Sequence, residues 1–301
     1  MYDVIIIGAG TAGLSSAIYV LRSGKSVLLL EKSYYGGQIV NATDIENYPA
    51  IKKISGYDFA TALYEQALSL GADIEYENAV SIENGIYEKT VFTEKNSYKC
   101  RSIIIATGLQ KRRLNIENEE KFTGKGVSYC AVCDGAFYKD KPVAVAGGGN
   151  TALEDALLLS EYCSKVYIIH RRKEFKGEKI LAEKLTKREN ISYMLNCTLT
   201  ALNGSEKLES ISVISNDSKI PNDITVSGLF VAIGQVPENK AFSDIVELDE
   251  YGYIISDDCC TCAEGIFTAG DCRKKDIKQL ATAVADGAVA GIKACEYINR
   301  K

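Results

Sequence analysis

The sequence predicts an α/β fold with two Rossmann-like dinucleotide-binding domains, and two observations support this prediction. A pattern of strand, glycine-rich turn, helix and strand occurs twice, at residues 2–32 and again at residues 141–172. The chain is 301 residues long, which exceeds the usual size of a single hydrophobic core. Each copy of the pattern therefore marks one domain.

Composition and charge exclude several classes of protein. Hydrophobic residues make up 46% and charged residues 25% of the chain, which is typical of globular proteins. The net charge of -5 argues against a nucleic-acid partner. The N-terminal apolar run is far shorter than the roughly 20 residues that cross a bilayer, and it lacks the features of a signal peptide. We therefore expect a cytoplasmic protein without nucleic-acid or membrane partners.

The first copy begins with the strand DVIII, which leads into a turn where Gly8, Gly10 and Gly13 form the motif G-x-G-x-x-G. The first glycine permits a tight turn, the second lets the backbone approach a pyrophosphate, and the third lets helix and strand pack closely. The helix is expected to end near Ser23, and the next strand, SVLLL, is followed by Glu31. A carboxylate here accepts hydrogen bonds from ribose hydroxyls, and the helix N-terminus presents free N–H groups to phosphates.

The second copy aligns with the first without a gap but has a different chemical character. The strand VAVA leads into Gly147-Gly148-Gly149-Asn150-Thr151-Ala152. The following strand ends at His170-Arg171-Arg172, with Lys176 close behind in sequence. Such a cationic cluster suits a 2′-phosphate, which arginine binds bidentately. The second copy therefore predicts an NADP site, and a merely solvated basic strand end is the alternative.

The spacing of Cys130 and Cys133, between the two copies, indicates a redox-active dithiol. A structural zinc site would need four ligands, and the only histidine, His170, already belongs to the second copy. A helix beginning at the pair would lower the pKa of a thiol, and Asp134 is the nearest titratable group in sequence. A flavin can accept a hydride on one face and reduce a disulfide on the other. This chemistry places FAD in the first copy and the nicotinamide dinucleotide in the second.

Short motifs follow one another along the whole chain. They are GAGTAG at 8–13, GGQ at 36–38, IENYP at 45–49, ATG at 106–108, CAVCDG at 130–135, GGGNTA at 147–152, HRR at 170–172, AIGQVPEN at 232–239, TAGDC at 268–272 and ADGAVAG at 285–291. With these motifs in this order, the chain resembles the low-molecular-weight, bacterial-type thioredoxin reductases of the pyridine nucleotide-disulfide oxidoreductase family. The resemblance implies a discontinuous FAD domain, residues 1–111 and 240–301, with an NADPH domain, residues 112–239, inserted in it. It also implies a homodimer, thioredoxin as the partner, and rotation of one domain on the other.

The resemblance also implies roles for individual residues. Cys130 is expected to attack the substrate disulfide, Cys133 to face the flavin, and Asp134 to act as the acid–base group. The residues expected to bind FAD are Gly8, Gly10, Thr11, Gly13, Glu31, Gly37, Gln38, Asn47, Gly270, Asp271, Lys278, Gln279 and Asp286, with a helix start near Asp286. The residues expected to bind NADPH are Gly147, Gly148, Gly149, Asn150, Thr151, Glu154, His170, Arg171, Arg172 and Lys176.

The sequence departs from the family pattern at three places. Lys176 and Lys278 stand where an arginine is usual, and a lysine lacks the planar fork, so strict selectivity for NADPH over NADH stays open at Lys176. The residues Cys259, Cys260 and Cys262 are unexpected. We expect them to be incidental thiols rather than a closed metal site, with a secondary redox or metal-sensitive role as the alternative.

The predicted reaction carries electrons from NADPH, through FAD and the Cys130/Cys133 dithiol, to oxidised thioredoxin. One alternative is the same fold with reduced ferredoxin as the electron donor. A second is the reduction of another small disulfide protein, and a third is a redox sensor or scaffold without enzymatic activity. The intact second glycine motif argues against the first alternative, and the position of Cys-x-x-C-Asp between two complete dinucleotide units argues against the third.

Overall fold

The computed structural model describes residues 1–42 and 44–300. Contacts between residues divide the chain into two compact units. Unit 1 consists of Met1–Gln110 and Val236–Lys301, and unit 2 consists of Lys111–Gln235. The division predicted from the sequence, at 111 and 239, differs from these bounds by a few residues. The assignment of one cofactor to each unit stays a prediction.

Unit 1 is built on a seven-stranded sheet. Its strands are β1 (Tyr2–Ile7), β2 (Val27–Leu30), β3 (Asp73–Glu75), β4 (Ala79–Asn84), β5 (Lys89–Thr93), β6 (Ser97–Ile105) and β17 (Ile266–Thr268). The spatial order is β3-β2-β1-β6-β5-β4, and β17 pairs with β6. The central strand β1 runs parallel to β2 and β6, and every residue of β2 is buried, because a parallel strand covered on both faces needs apolar side chains throughout. The pairs β4–β5 and β5–β6 are antiparallel.

Three longer helices belong to unit 1. They are α1 (Thr11–Arg22), α2 (Gly56–Ser69) and α7 (Leu280–Arg300). Helix α2 begins after Ser55, whose Oγ accepts a hydrogen bond from the Asp58 amide at 3.0 Å. Helix α1 packs against α7 so closely that a Cβ on Gly287 would lie 2.3 Å from the carbonyl oxygen of Ala12. This contact fixes the glycine-turn helix of unit 1 against the C-terminal helix.

Unit 2 contains a five-stranded parallel sheet in the order β11-β10-β9-β15-β8. These strands are β8 (Val127–Ser128), β9 (Pro142–Gly147), β10 (Lys165–His170), β11 (Ile191–Leu195) and β15 (Gly228–Ala232). Its helices are α3 (Glu119–Phe122), α4 (Ala131–Asp134), α5 (Asn150–Leu159) and α6 (Lys179–Thr186). A three-stranded antiparallel sheet is formed by β12 (Cys197–Asn203), β13 (Ser210–Ser215) and β14 (Pro221–Thr225).

Short elements complete the fold. Strands β7 (Gln110–Lys111) and β16 (Gln235–Val236) pair in a two-stranded sheet. The 3-10 helices are Gly37–Asn41, Gly135–Tyr138, Lys240–Phe242 and Gly270–Cys272. In the described ranges, no helix has both the length and the apolar composition that a membrane span requires.

The elements predicted for both glycine motifs are confirmed. The strand, turn, helix and strand of the first copy are β1, α1 and β2, and those of the second are β9, α5 and β10. Helix α1 ends at Arg22, and Gly24 follows with φ +73°. Helix α4 begins directly after Cys130, as expected, but it has a single turn. Its electrostatic field at the cysteines is therefore smaller than that of a full-length helix.

Most cysteines outside the Cys130/Cys133 pair are buried, as expected. The buried ones are Cys100, Cys163, Cys259, Cys272 and Cys295. Burial raises the pKa of Cys100 and of Cys259 to about 12, so both are inert thiols at neutral pH. Cys262 is exposed and Cys260 is half-buried. No group of three or more His, Cys, Asp or Glu side chains in the described part of the chain has an arrangement suited to a metal ion.

Candidate redox and dinucleotide sites

Cys130 and Cys133 form a disulfide across the single turn of α4. Cys130 is the N-cap of this turn, and the Cys133 amide donates to Cys130 Sγ at 3.2 Å. An amide N–H that points at a sulfur stabilises a thiolate there. Cys133 is exposed, whereas Cys130 is half-buried. The hydrogen bond supports Cys130 as the sulfur that carries negative charge after reduction, and its role as the attacking thiol stays a prediction.

Asp134 is connected to the same turn through Ser128. Ser128 Oγ donates to Asp134 Oδ2 at 2.6 Å and accepts from the Cys130 amide at 3.0 Å. The Asp134 amide donates to the Cys130 carbonyl at 3.1 Å. The structure therefore brings Asp134 and Cys130 together through one bridging hydroxyl. A carboxylate in this position can exchange protons with the sulfurs through small movements or one water molecule.

The residue before the disulfide, Tyr129, is held at both its side chain and its backbone. Its hydroxyl donates to Glu119 Oε1, and Lys111 Nζ donates to its carbonyl oxygen. The Glu119 carboxylate also accepts from the Leu114 and Asn115 amides, at 2.7 and 2.8 Å. Burial raises the pKa of the Tyr129 hydroxyl, with the Glu119 carboxylate adding to the shift. Sequence reasoning missed these anchors, because nothing in the local pattern pairs residues 111 and 119 with residue 129.

The first glycine turn has the close approaches that its motif predicts. Gly8 has φ +106°, and a Cβ on Gly13 would lie 1.9 Å from the carbonyl oxygen of Gly8. Gly10 lies against Gly37, whose own Cβ would be 3.2 Å from Gly10 Cα. The motifs GAGTAG and GGQ, distant in sequence, thus form one backbone surface. Gly10 is the N-cap of α1, which begins at Thr11, and no side chain of the described residues caps this helix.

Glu31 lies beside this turn, immediately after β2. Its carboxylate accepts hydrogen bonds from the amides of Ala9 and Ser33, each at 2.9 Å. The first bond ties the end of β2 to the glycine turn. Each carboxylate oxygen has a further lone pair, so Glu31 retains the capacity to accept from a ribose hydroxyl.

The C-terminal part of unit 1 contributes a buried ionic cluster near Gly270. The Gly270 amide donates to Asp286 Oδ2 at 3.1 Å, and Arg273 makes two hydrogen bonds of 2.9 Å to the same carboxylate. Lys275 Nζ lies 3.0 Å from Asp286 Oδ2 and 3.1 Å from Asp271 Oδ1. Burial alone would raise the pKa of Asp286, but the bonds from Arg273 and Lys275 outweigh it and hold that pKa below its usual value. Asp286 therefore supports the backbone at Gly270.

The structure of this cluster differs from the sequence-based expectation at one point. It also includes two residues that the sequence did not indicate. The helix does not start near Asp286, since α7 begins at Leu280 and Asp286 lies in its second turn. Arg273 and Lys275 were missed, because only the tertiary structure places them on Asp286. Asp271 Oδ1 is buried and has no hydrogen-bond partner among the described residues, although Lys275 Nζ lies 3.1 Å away. This carboxylate oxygen is thus available to a polar group of a ligand.

Other residues predicted to bind FAD also lie in unit 1. Asn47 Nδ2 donates to Gln279 Oε1 at 3.4 Å, so two expected FAD residues from distant parts of the chain meet. Gln38 Nε2 donates to the Leu109 carbonyl at 3.3 Å. Lys278 donates to the Lys275 carbonyl at 3.0 Å, and its ammonium lies 4.3 Å from the centre of the Tyr253 ring. A contact of Lys278 with the flavin ring therefore stays a prediction.

The second glycine turn forms a surface with residues that follow β10. The backbone amides of Lys176 and Gly177 donate to the Gly148 carbonyl, at 2.7 and 3.0 Å. Asn150 Oδ1 accepts from the Glu178 amide at 2.8 Å. The expected residues Asn150, Thr151 and Glu154 are exposed. An added Cβ on Gly149 would meet no atom of the described chain within 4 Å, so the space above this glycine is open.

His170 and its neighbours supply the charge of this second site. The His170 ring packs against Gly148, since a Cβ there would lie 2.3 Å from His170 Nδ1. His170 Nε2 is buried and has no hydrogen-bond partner among the described residues. Burial lowers the pKa of His170; a hydrogen bond with the Glu174 backbone opposes this shift, and the charges of Arg172, Arg171 and Lys176 add to it. Arg171, Arg172 and Lys176 are exposed.

The residues present fit the two predicted cofactors. Unit 1 has an uncapped helix N-terminus at Gly10, a backbone cradle at Gly10 and Gly37, and a carboxylate at Glu31, which together suit the pyrophosphate and ribose of FAD. Judged on the described residues, unit 2 has no side-chain cap on α5, open space at Gly149 and no hydrogen-bond partner for His170 Nε2. With exposed arginines beside it, this set suits a nicotinamide dinucleotide that carries a 2′-phosphate.

Comparison with known proteins identifies the family of the whole chain. A family model described as pyridine nucleotide-disulphide oxidoreductase matches residues 2–287. The thioredoxin reductase of Listeria innocua is 40% identical over 300 residues, which is 99% of this chain and 94% of that protein. The crystal structure of Lactococcus lactis thioredoxin reductase has a TM-score of 0.90 and 37% identity, and the match covers 100% of both chains. That of T. acidophilum thioredoxin reductase has a TM-score of 0.86 and 34% identity, and covers 98% of both.

Proposed function

Since this chain belongs to the pyridine nucleotide-disulphide oxidoreductase family, we propose that it is a thioredoxin reductase, with FAD and NADPH as its cofactors. The observation that carries this proposal is the Cys130–Cys133 disulfide in the same unit as the second glycine turn. A disulfide across one helical turn, half open to solvent, is suited to exchange with a partner disulfide. Two dinucleotide surfaces of opposite charge character accompany it.

When bound, FAD would be held by the Gly10/Gly37 cradle and Glu31, and NADPH by the second glycine turn with Arg171 and Arg172; together they would supply the electron pair that reduces the disulfide. With two electrons and two protons, the Cys130–Cys133 bond becomes two thiols. Asp134, connected to Cys130 through Ser128, is placed to hold or release one of these protons. Loss of a proton from Cys130 gives the thiolate, to which the Cys133 amide already points.

The dithiol then reduces the partner by exchange. Cys130 attacks one sulfur of the partner disulfide and forms a mixed disulfide, while the partner's other sulfur leaves as a thiolate and takes up a proton. Cys133 attacks Cys130 Sγ, which re-forms the protein disulfide and releases the second partner thiol. The two electrons that reduced Cys130–Cys133 thus end on the partner.

Two exposed apolar side chains lie close to the disulfide in the sequence. Val132 is 47% exposed and Phe137 is 74% exposed, and both lie within four residues of Cys133. Apolar side chains next to a reactive disulfide provide a docking surface for a small folded partner. We propose that thioredoxin makes contact here.

The proposal is tested with the purified holoprotein. NADPH should bleach the visible absorbance of the bound flavin, NADH should do so much less effectively, and added oxidised thioredoxin should be reduced. In Cys133→Ser, flavin bleaching by NADPH should survive and thioredoxin reduction should be lost. Cys262→Ser, which removes an exposed thiol outside the pair, is the matched control and should behave as the parent. A protein that stays colourless after reconstitution with FAD, or thioredoxin reduction by Cys133→Ser, contradicts the proposal.

Two finer properties belong to the same proposal. The chain is proposed to be a homodimer, as its resemblance to the family implies, and light scattering on the purified protein measures this directly. It is also proposed to be cytoplasmic, without nucleic-acid or membrane partners. Apart from the redox pair, eight cysteines are free thiols, which suits a reducing compartment.

A further inference from the structure

Lys111 reaches the redox centre of unit 2 from outside its sequence motif. Its ammonium donates to the carbonyl oxygen of Tyr129, the residue that precedes Cys130. The side chain is half-buried. The positive charge of Lys111 is therefore held one peptide group away from Cys130.

Two carboxylates lie close enough to Lys111 to interact with its charge. Burial lowers the pKa of Lys111, and Asp155 and Asp134 oppose this shift, Asp155 more strongly. Asp155 lies on α5, where burial raises its pKa to about 6, with Lys111 acting in the opposite direction and Glu154 adding to the rise. The lysine is thus the counter-charge between the partly buried Asp155 carboxylate and the carboxylate next to Cys133.

Other titratable groups around the redox centre interact with Tyr129, Asp134 or Asp155. Glu119 accepts from the Tyr129 hydroxyl, and Arg113 interacts with that hydroxyl electrostatically. The Asp134 carboxylate raises the pKa of Tyr138, although burial is the larger cause. Tyr162, whose pKa is raised mainly by burial, also senses Asp155. Among these groups, Lys111 is the cation whose hydrogen bond falls on the peptide adjoining Cys130.

A cation in this position would favour the reduced centre. A thiolate at Cys130 forms close to Asp134, and two like charges at short range disfavour each other. The single turn of α4 offers one N–H to Cys130 Sγ, and its dipole is small. An ammonium next to the Tyr129 carbonyl counters the repulsion without contacting the sulfurs.

We propose that Lys111 is a positioning residue for the dithiol, which holds the Tyr129 carbonyl and, balanced by Asp155, stabilises the thiolate that forms at Cys130 on reduction. The inference rests on the proposed function for the role of Cys130. The inference adds a residue that lies outside the Cys-x-x-Cys-Asp motif and outside both glycine turns.

The test measures how the reactivity of Cys130 depends on pH. In a Cys133→Ser background, the reduced holoprotein is alkylated with iodoacetamide between pH 5 and 10, a range of about five units around the ordinary thiol pKa. The rate for Cys130 is followed by mass spectrometry of the peptide that contains it. Lys111→Met should raise the midpoint by roughly one pH unit, a tenfold loss of thiolate near neutrality. Lys111→Arg keeps the charge and should restore the midpoint to within a few tenths of a unit of the parent.

Lys141→Met is the matched control. Lys141 also donates to a backbone carbonyl near the disulfide, that of Phe137 at 3.1 Å, but it is exposed. This variant removes the same charge from the same unit and should leave the midpoint unchanged. An unchanged midpoint in folded Lys111→Met, or an equal shift in Lys141→Met, overturns the inference.

Asp155→Asn gives an independent prediction of opposite sign. Removal of the partly buried Asp155 carboxylate leaves the Lys111 charge less compensated, so the midpoint for Cys130 should fall by several tenths of a pH unit. If Lys111→Met does not fold, Asp155→Asn tests the inference alone. A midpoint for Cys130 that is unchanged or higher in Asp155→Asn then overturns the inference. Alkylation requires neither NADPH nor thioredoxin, so its outcome is independent of flavin bleaching and thioredoxin reduction, which test the proposed function.

Discussion

The two glycine turns share one backbone pattern and differ in what completes the ligand surface. In unit 1, Glu31 folds back on the turn and bonds to the Ala9 amide at 2.9 Å. In unit 2, the equivalent residue is His170, whose ring packs on Gly148 and whose Nε2 has no partner among the described residues. The first turn is completed by its own carboxylate, whereas the second leaves a buried nitrogen for a ligand. One residue at the end of the second strand therefore distinguishes the two sites.

The third position of the motif differs as well. Gly13 has no room for a side chain, because a Cβ would lie 1.9 Å from the Gly8 carbonyl oxygen. Ala152 fills the same position in unit 2 and is completely buried. Its Cβ is accommodated against Gly147, whose φ is +152°. The helix thus approaches the turn more closely in unit 1 than in unit 2.

Exchanging these third positions should give the largest effect. Gly13→Ala forces α1 away from the turn, so we expect a loss of about 3 kcal/mol in the free energy of unfolding and a protein that retains little FAD. Ala152→Gly removes a methyl group from a helix and should cost only about 1–2 kcal/mol, with the flavin retained. Thermal denaturation and the ratio of flavin to protein absorbance measure both effects. Equal losses in the two variants would show that the turns are equally tight.

The basic strand end of unit 2 provides the next largest effect. In Arg171→Ala/Arg172→Ala, loss of two charge-assisted contacts to a 2′-phosphate should raise KM for NADPH about 100-fold and leave KM for NADH nearly unchanged. The adjacent Lys173→Ala is the control, because Lys173 is exposed and its ammonium lies 3.3 Å from Asp217. Steady-state kinetics with both nucleotides measure the change. Equal increases for NADPH and NADH would point to general loss of the site and would argue against phosphate recognition.

A third difference lies on the helices that follow the turns. Asp155 on α5 occupies the position of Ser16 on α1, each eight residues after the first glycine of its motif. Ser16 is buried and donates to the Ala12 carbonyl at 2.9 Å, whereas Asp155 has a pKa raised to about 6, first by burial. A raised pKa in the folded state means that folded protein binds the proton more tightly than unfolded protein does. The contribution of Asp155 to the free energy of unfolding should therefore rise as pH falls from 7 towards 5.

The measurement compares the parent with Asp155→Asn in urea at pH 7 and pH 5. Linkage with a folded pKa near 6 and an ordinary unfolded pKa gives the parent about 1 kcal/mol more stability at pH 5 than at pH 7, relative to the asparagine variant. Ser16→Ala, the matched change in unit 1, should show no such dependence. A parent that loses stability relative to Asp155→Asn over this range would mean that Asp155 is ionised through its pairing with Lys111.

The sequence was sufficient for the features that local chemistry determines. The glycine turns, the strands around them and the cysteine pair follow from residue types at fixed spacings, and the structure has them where expected. The ionic cluster at Asp286 could not be predicted, because Arg273 and Lys275 reach it from a segment whose path depends on tertiary packing. The same holds for Lys111 and the Tyr129 carbonyl, 18 residues apart.

One residue that the sequence analysis did not identify, Asp155, could have been recognised from its position in the sequence. Asp155 lies among the apolar residues of α5, beside the buried Ala152 and Ala156. A carboxylate on the apolar face of a helix requires a partner or a shifted pKa. That reasoning identifies Asp155 as unusual, but the identity of its partner becomes known only when the strand that carries Lys111 is placed.

The smallest expected effect concerns Lys176, which stands where an arginine is usual. Its backbone amide is fixed by the Gly148 carbonyl at 2.7 Å, so its exposed side chain begins at the second glycine turn. Lys176→Arg keeps the charge and adds a planar fork, which should raise the preference for NADPH over NADH about threefold. Lys179→Arg, on the first residue of α6, makes the same exchange away from the turn and should leave the preference unchanged. The ratio of kcat/KM for the two nucleotides measures it. An unchanged ratio in Lys176→Arg would place the 2′-phosphate on Arg171 and Arg172 alone, and the difference between the two turns would then depend entirely on the residues that end β10.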